Sequence, residues 1–305
     1  MASEILFKPT VSQTLTLPDG RKLGYATFGP LPSPEIPTII YCHGFPGSRI
    51  EAAFFESKQL PVHVISIDRP GMGLSDFQPS RRILDFPADV LALLNHLQIP
   101  RFHVLGDSGG SPYALACVKE IPQERLLGIS VVSGLYPLTL GMEGMSFGAK
   151  VVMVAGSWLP SSMLAKLLDW EFGNAMNEHD PKEFENAFMK NIEGKSESDF
   201  RCLDDLEFRH IVIESMREAF RQGSGGPAWE LGLYGRWGFE LEELKELGEL
   251  VTLWHGKKDI NTPFLMAEKA AKVLKGCELK VFEEESHLSL PYNYIEKIIK
   301  CMLNE

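Results

Sequence analysis

The chain has 305 residues, 44% of them hydrophobic and 23% charged, which fits a globular protein with room for one α/β domain plus an insertion, or for two small domains. A net charge of −11 excludes nucleic acid as the expected partner, because neutralising phosphates requires a cationic surface. Cys42, Cys117, Cys202, Cys277 and Cys301 are odd in number, scattered and without metal-ligand spacing, which points to reduced thiols and to neither a disulfide scaffold nor a metal site.

Residues Met1 to Thr10 hold no apolar run of signal-peptide length, so a cytoplasmic location is the expectation. Gln13 to Leu17 and Lys22 to Phe28 alternate apolar and polar residues around Pro18-Asp-Gly20, the pattern of an antiparallel hairpin. Thr38 to Cys42, Val64 to Ile67 and Phe102 to Leu105 are short β-branched runs ended by glycine-bearing loops, as in strands buried on both faces of a parallel sheet. Helical spacing fills Ile50 to Lys58, Ile83 to Leu97 and Ser111 to Glu120. Leu127 to Val132 is a sixth strand, and Leu250 to Trp254 and Leu279 to Phe282 complete eight. The expected class is α/β, a mostly parallel eight-stranded sheet flanked by helices, with residues 1–135 and 237–305 as core.

Residues 136–236 interrupt the alternation and are read as a helical lid over the carboxyl edge of the sheet, the alternative being a plain second helical domain. Within them, Val151 to Trp170 is the most apolar stretch, but Gly156, Ser157, Pro160 and Lys166 break it, so no stable membrane insertion is expected. Gly223-Ser-Gly-Gly226, in a polar stretch before Pro227, reads as a loop.

The chemistry concentrates at Gly106-Asp-Ser108-Gly-Gly110, which joins a strand directly to a helix. Such an elbow strains the backbone at the serine and crowds its neighbours, so the flanking positions must be glycine. The same five residues resemble the nucleophile segment of chymotrypsin-like proteases, but the strand and helix alternation here contradicts an all-β fold. A serine hydroxyl needs an imidazole to take its proton, and that imidazole needs an acid to fix its tautomer. Loops after strands carry such groups in open α/β sheets. They hold His43-Gly-Phe45-Pro-Gly47, Asp68-Arg-Pro-Gly71-Met-Gly73, His255-Gly-Lys-Lys-Asp259 and Glu283-Glu-Glu-Ser-His287. His287 is the preferred base, whereas His63, His96, His103, His179 and His210 fall in strands, helices or the insertion. Asp259 is the preferred acid over Asp107, Asp68 and Glu283 to Glu285, of which Asp68 is expected to organise the Arg-Pro-Gly turn. Gly109 and Phe45 are the expected backbone donors to an oxyanion, with His43 and Gly44 shaping the loop.

Together these motifs, in this order along almost the whole chain, resemble the α/β-hydrolase superfamily, in particular its lidded serine hydrolases of the esterase and lactonase type. The resemblance implies Ser108 as nucleophile, His287 as base, Asp259 as orienting acid and no cofactor. Serine at 108 departs from the epoxide-hydrolase and dehalogenase branches, and the single glycine before Phe45 departs from the His-Gly-Gly-Gly pattern of one lipase branch. The expected reaction is acyl-enzyme hydrolysis of an ester or lactone. The apolar content of the insertion, which includes Trp158, Trp170, Trp229, Tyr234 and Trp237, suggests a medium-sized hydrophobic small molecule as substrate, with His43, Trp158, Trp229 and Trp237 as pocket candidates. Carbon–carbon cleavage, cyclisation or acyl transfer with the same triad, and a ligand-sensing receptor with little turnover, stay open, as does a homodimer.

Overall fold

The computed structural model describes residues 8–33, 35–173, 181–193 and 196–304. Most of the N-terminal stretch read for a signal peptide, and His179, lie outside them.

Eight strands form one sheet in the order β1-β2-β4-β3-β5-β6-β7-β8. They are β1 (Gln13–Thr16), β2 (Lys22–Phe28), β3 (Thr38–Cys42), β4 (His63–Ile67), β5 (Phe102–Asp107), β6 (Leu126–Val132), β7 (Val251–Gly256) and β8 (Glu278–Phe282). The β1–β2 hairpin and the β2–β4 pair are antiparallel, and every later pairing is parallel. Strand alternation divides the core between the two faces of the sheet. Ile40, Ile65, Val104 and Val131 join one buried cluster, while their chain neighbours Ile39, Val64, Leu105 and Val132 join the other. This explains why the central strands read as continuous apolar runs.

The expected first helix is a short 3₁₀ turn, Arg49–Ala52, followed by α1 (Ala53–Ser57). Helix α2 (Phe86–His96) connects β4 to β5, and α3 (Ser111–Glu120) follows β5 with Pro112 in its first turn, where a missing N–H costs nothing. Between β6 and β7 come α4 (Phe147–Trp158), α5 (Ser161–Phe172), α6 (Pro181–Ile192), α7 (Glu197–Cys202), α8 (Leu206–Ala219) and α9 (Gly225–Tyr234). Helices α10 (Phe264–Val273) and α11 (Ser289–Met302) complete the chain. Helix α9 packs against both α4 and α5.

The loop expected at Gly223 to Gly226 ends earlier than the sequence suggests, because Gly225 and Gly226 open α9. A β-carbon on Gly226 would lie 2.2 Å from the Gly71 carbonyl oxygen, so the second glycine serves close backbone contact with the Asp68-Arg-Pro-Gly71 turn. Among the described residues, no helix is long and apolar enough to cross a membrane.

Candidate active site

Strand β5 runs two residues further than its apolar pattern and delivers Ser108 onto the turn before α3. Ser108 has φ +48°, a left-handed conformation that side-chain-bearing residues seldom adopt. Its neighbours leave no room for side chains. A β-carbon at Gly110 would stand 2.0 Å from the Cys42 carbonyl oxygen, and one at Gly106 would stand 2.7 Å from Ala114 Cβ. The spacing of Gly-x-Ser-x-Gly therefore reflects β3 on one side and α3 on the other.

His287 lies in the loop between β8 and α11, with Nε2 2.8 Å from Ser108 Oγ. Its Nδ1 is 2.7 Å from Asp259 Oδ2, in the loop after β7. Asp259 is nearly fully buried and accepts further hydrogen bonds from the Asn261 and Thr262 N–H groups at 2.8 and 2.9 Å. Burial alone raises the Asp259 pKa, but the His287 imidazole and these donors outweigh it and leave it below the ordinary aspartate value. Burial likewise pulls His287 down, yet the Asp259 carboxylate dominates, with Asp107 and Asp199 adding to it, and its pKa is pushed up to about 9.

The structure distinguishes the rival acids. Asp68 accepts from Arg49 N and Leu74 N at 2.7 and 2.8 Å and pairs with the Arg49 guanidinium, so it organises its own turn. Glu283 and Glu284 pair with Lys257 and Lys258 at the surface. Asp107 is buried with Oδ1 unpartnered, and burial together with nearby Glu51 raises its pKa well above the ordinary value. His255, expected in the loop after β7, is inside β7, where its buried Nε2 sits 2.6 Å from the Thr262 carbonyl oxygen.

Phe45 and Gly109 meet beside the serine, since a β-carbon on Gly109 would be 2.9 Å from Phe45 Cβ and 2.4 Å from Tyr234 Oη. The loop carrying Phe45 is held from behind. Arg69 donates to the His43 and Gly44 carbonyl oxygens at 2.6 and 2.8 Å, and Gly44 N donates to Glu51 at 2.9 Å. His43 is fully buried, and burial plus the Arg69 charge hold its pKa well below the ordinary histidine value.

The insertion reaches this site through two buried carboxylates that the sequence did not single out. Glu230 of α9 pairs with Arg69 and Arg81, and accepts from Tyr113 and Tyr234 hydroxyls at 2.7 and 2.9 Å. Asp199 of α7 accepts from Leu288 N, Ser289 N and Ser286 Oγ at 2.8, 2.9 and 2.9 Å, gripping both flanks of His287 and capping α11. Ser133, just after β6, donates to the His287 carbonyl oxygen at 3.0 Å. None of these has a signature in sequence spacing, because each meets its partners only through tertiary packing.

The tryptophans named for the pocket are dispersed. Trp158 is on the surface, and Trp229 donates to the Arg81 carbonyl oxygen and packs edge-on against Phe77. Trp237 is buried, bonded to the Tyr234 carbonyl oxygen and packed on Phe239. None of the three has a hydrogen bond or ring contact with Ser108 or His287. Tyr234 lies beside Ser108's neighbours, with its ring edge-on to Phe45 and its hydroxyl 3.1 Å from the Gly109 carbonyl oxygen. Among the described residues, no group of histidine, cysteine, aspartate and glutamate is arranged to hold a metal.

Comparison with known proteins bears on the fold. The family described as "alpha/beta hydrolase fold" matches residues 37–157. Est816, described as an N-acyl homoserine lactone degrading enzyme, superposes with TM-score 0.62 at 21% identity, covering 95% of this chain and 99% of its own. The esterase EaEST from Exiguobacterium antarcticum gives 0.62 at 18%, covering 96% and 98%. The esterase RhEst1 from Rhodococcus sp. ECU1013 gives 0.66 at 16%, also covering 96% and 98%. No curated protein matches the sequence. The fold is that of the α/β-hydrolase superfamily.

Proposed function

We propose that this protein is a serine hydrolase that cleaves an ester or lactone bond of a medium-sized hydrophobic small molecule. The observation that carries this reading is the unbroken relay from Ser108 Oγ to His287 Nε2 at 2.8 Å and from His287 Nδ1 to Asp259 at 2.7 Å. In it, Ser108 Oγ attacks the carbonyl carbon while His287 takes the hydroxyl proton, and Asp259 stabilises the imidazolium. The resulting oxyanion accepts from the Phe45 and Gly109 N–H groups. His287 returns the proton to the leaving oxygen, the acyl group stays on Ser108, and a water deprotonated by His287 releases the acid. The chemistry requires no cofactor.

The helical insertion acts as the lid of this site, anchored through Glu230 and Asp199. The substrate reading draws on the apolar composition of the insertion and on the ester- and lactone-cleaving descriptions of proteins with the same fold. Five cysteines unpaired in the structure suit the cytoplasm as the location.

The test is hydrolysis of p-nitrophenyl esters and simple lactones by the wild type, Ser108→Ala and His287→Ala. The expected result is wild-type turnover that each substitution lowers by at least about a thousandfold in kcat. Turnover that survives Ser108→Ala contradicts the assignment, as does a wild type inert toward every acyl substrate.

A further inference from the structure

The insertion carries a surface that the proposed chemistry does not use. On α4 the exposed large apolar side chains include Phe147, Val151, Val154 and Trp158, and on α5 they are Met163, Leu167 and Trp170. The first set falls at i, i+4, i+7 and i+11, the second at i, i+4 and i+7. Each helix therefore shows solvent a continuous apolar stripe at helix-docking spacing. The opposite faces are already occupied. Gly156 of α4 lies against the Leu231 backbone of α9, and Leu164 and Leu168 of α5 are core residues. Because α4 and α5 both rest on α9 and touch each other, the two stripes are neighbours.

The size of the patch sets it apart from ordinary surface. Phe147, Trp158 and Trp170 are 83, 84 and 83% exposed, which for three such side chains amounts to roughly 500 Å². Val151, Val154, Met163 and Leu167, each between 44 and 51% exposed, bring the total to about 800 Å². That is larger than the patch of a few hundred Å² common on monomers, and it equals the area each partner buries in a standard interface.

Charge selects the occupant. Residues 147–172 contain Lys150 and Lys166 against Asp169 and Glu171, so the patch is neutral and lacks the basic rim that draws a helix to anionic lipid. The whole chain, at −11, is repelled by such a surface. A second copy needs no charge complementarity, and a two-fold axis sets identical apolar stripes against each other. We propose that the outer face of α4 and α5 is an isologous interface joining two copies of this chain. This holds whether or not Ser108 is the nucleophile.

Sedimentation velocity of the full chain from about 0.1 to about 100 µM tests it. The wild type is expected to sediment as a dimer of the 34.1 kDa chain. Val154→Glu/Leu167→Glu, which places a charge at the centre of each stripe, is expected to raise the dimer dissociation constant by about a hundredfold or more with the circular dichroism spectrum unchanged. The milder Val154→Ser/Leu167→Ser pair is expected to weaken it less and serves if the charged pair does not fold. A wild type monomeric throughout the range overturns the proposal, and one that is monomeric but co-sediments with phosphatidylcholine vesicles does so in favour of lipid. A dimer that survives in the folded variants overturns it as well.

Discussion

At the scale of single residues, the left-handed turn at Ser108 is held by contacts that an added methyl group would break. Gly110→Ala brings a β-carbon to within 2.0 Å of the Cys42 carbonyl oxygen, a backbone atom of a central strand that has little freedom to move. We expect a loss of about 3 kcal/mol in stability, measured by chemical denaturation, together with collapse of activity. His287 sets the pH response. Its pKa rises from the ordinary 6.5 to about 9, so the neutral base needed for attack accumulates only as pH climbs, and kcat/KM should rise to a plateau above about pH 9. The sign for stability is opposite. The raised pKa contributes stability that is complete below 6.5 and is lost as pH rises through about 9. Asp259→Asn should move the acidic limb of the rate profile downward, and an unmoved limb would assign it to another group. The sequence made Ser108, His287 and Asp259 legible because local turn chemistry and loop order mark them. It did not mark Thr262 or Ser133, which matter through tertiary hydrogen bonds and carry no periodic pattern.

At the scale of elements, α7 is too short to attract notice in the sequence, yet it holds the loop that carries His287. Asp199 binds residues on both sides of His287 and adds to the negative field around the imidazole. Asp199→Ala should lower kcat at least tenfold with little change in KM, and should shift the acidic limb of the pH profile downward. Asp199→Asn keeps an oxygen for Leu288 N and Ser289 N, so it should recover most of kcat while retaining the shifted limb. Equal losses in both variants with an unshifted limb would reduce Asp199 to a general structural role. The strands were read closely from the sequence, since burial on both faces imposes continuous apolar runs. The start of α9 was not, because Gly225 and Gly226 answer to the backbone of a distant turn rather than to local propensity.

At the scale of the whole molecule, the insertion and the sheet are joined by buried charge. Glu230 lies between Arg69 and Arg81, and Arg69 in turn holds the loop that presents Phe45. Removing one member leaves desolvated charges unpaired, so Glu230→Gln should cost about 3–5 kcal/mol and lower activity even though it contacts neither Ser108 nor His287. Denaturation followed by tryptophan fluorescence and by circular dichroism should coincide in the wild type and separate in the variant; coincidence in both would show that the insertion is held by other contacts. The overall architecture was visible in the alternation of strands and helices, but this coupling was not, since it joins residues that lie more than a hundred positions apart.

The measurement that bears most directly on the central claim is the mass of the protein after reaction with a fluorophosphonate, followed by peptide mapping. Nucleophilic attack by Ser108 predicts one adduct per chain, located on the peptide containing Ser108, absent in Ser108→Ala and formed far more slowly in His287→Ala. An adduct on another residue, or ester turnover by a chain that the reagent leaves unmodified, would contradict it.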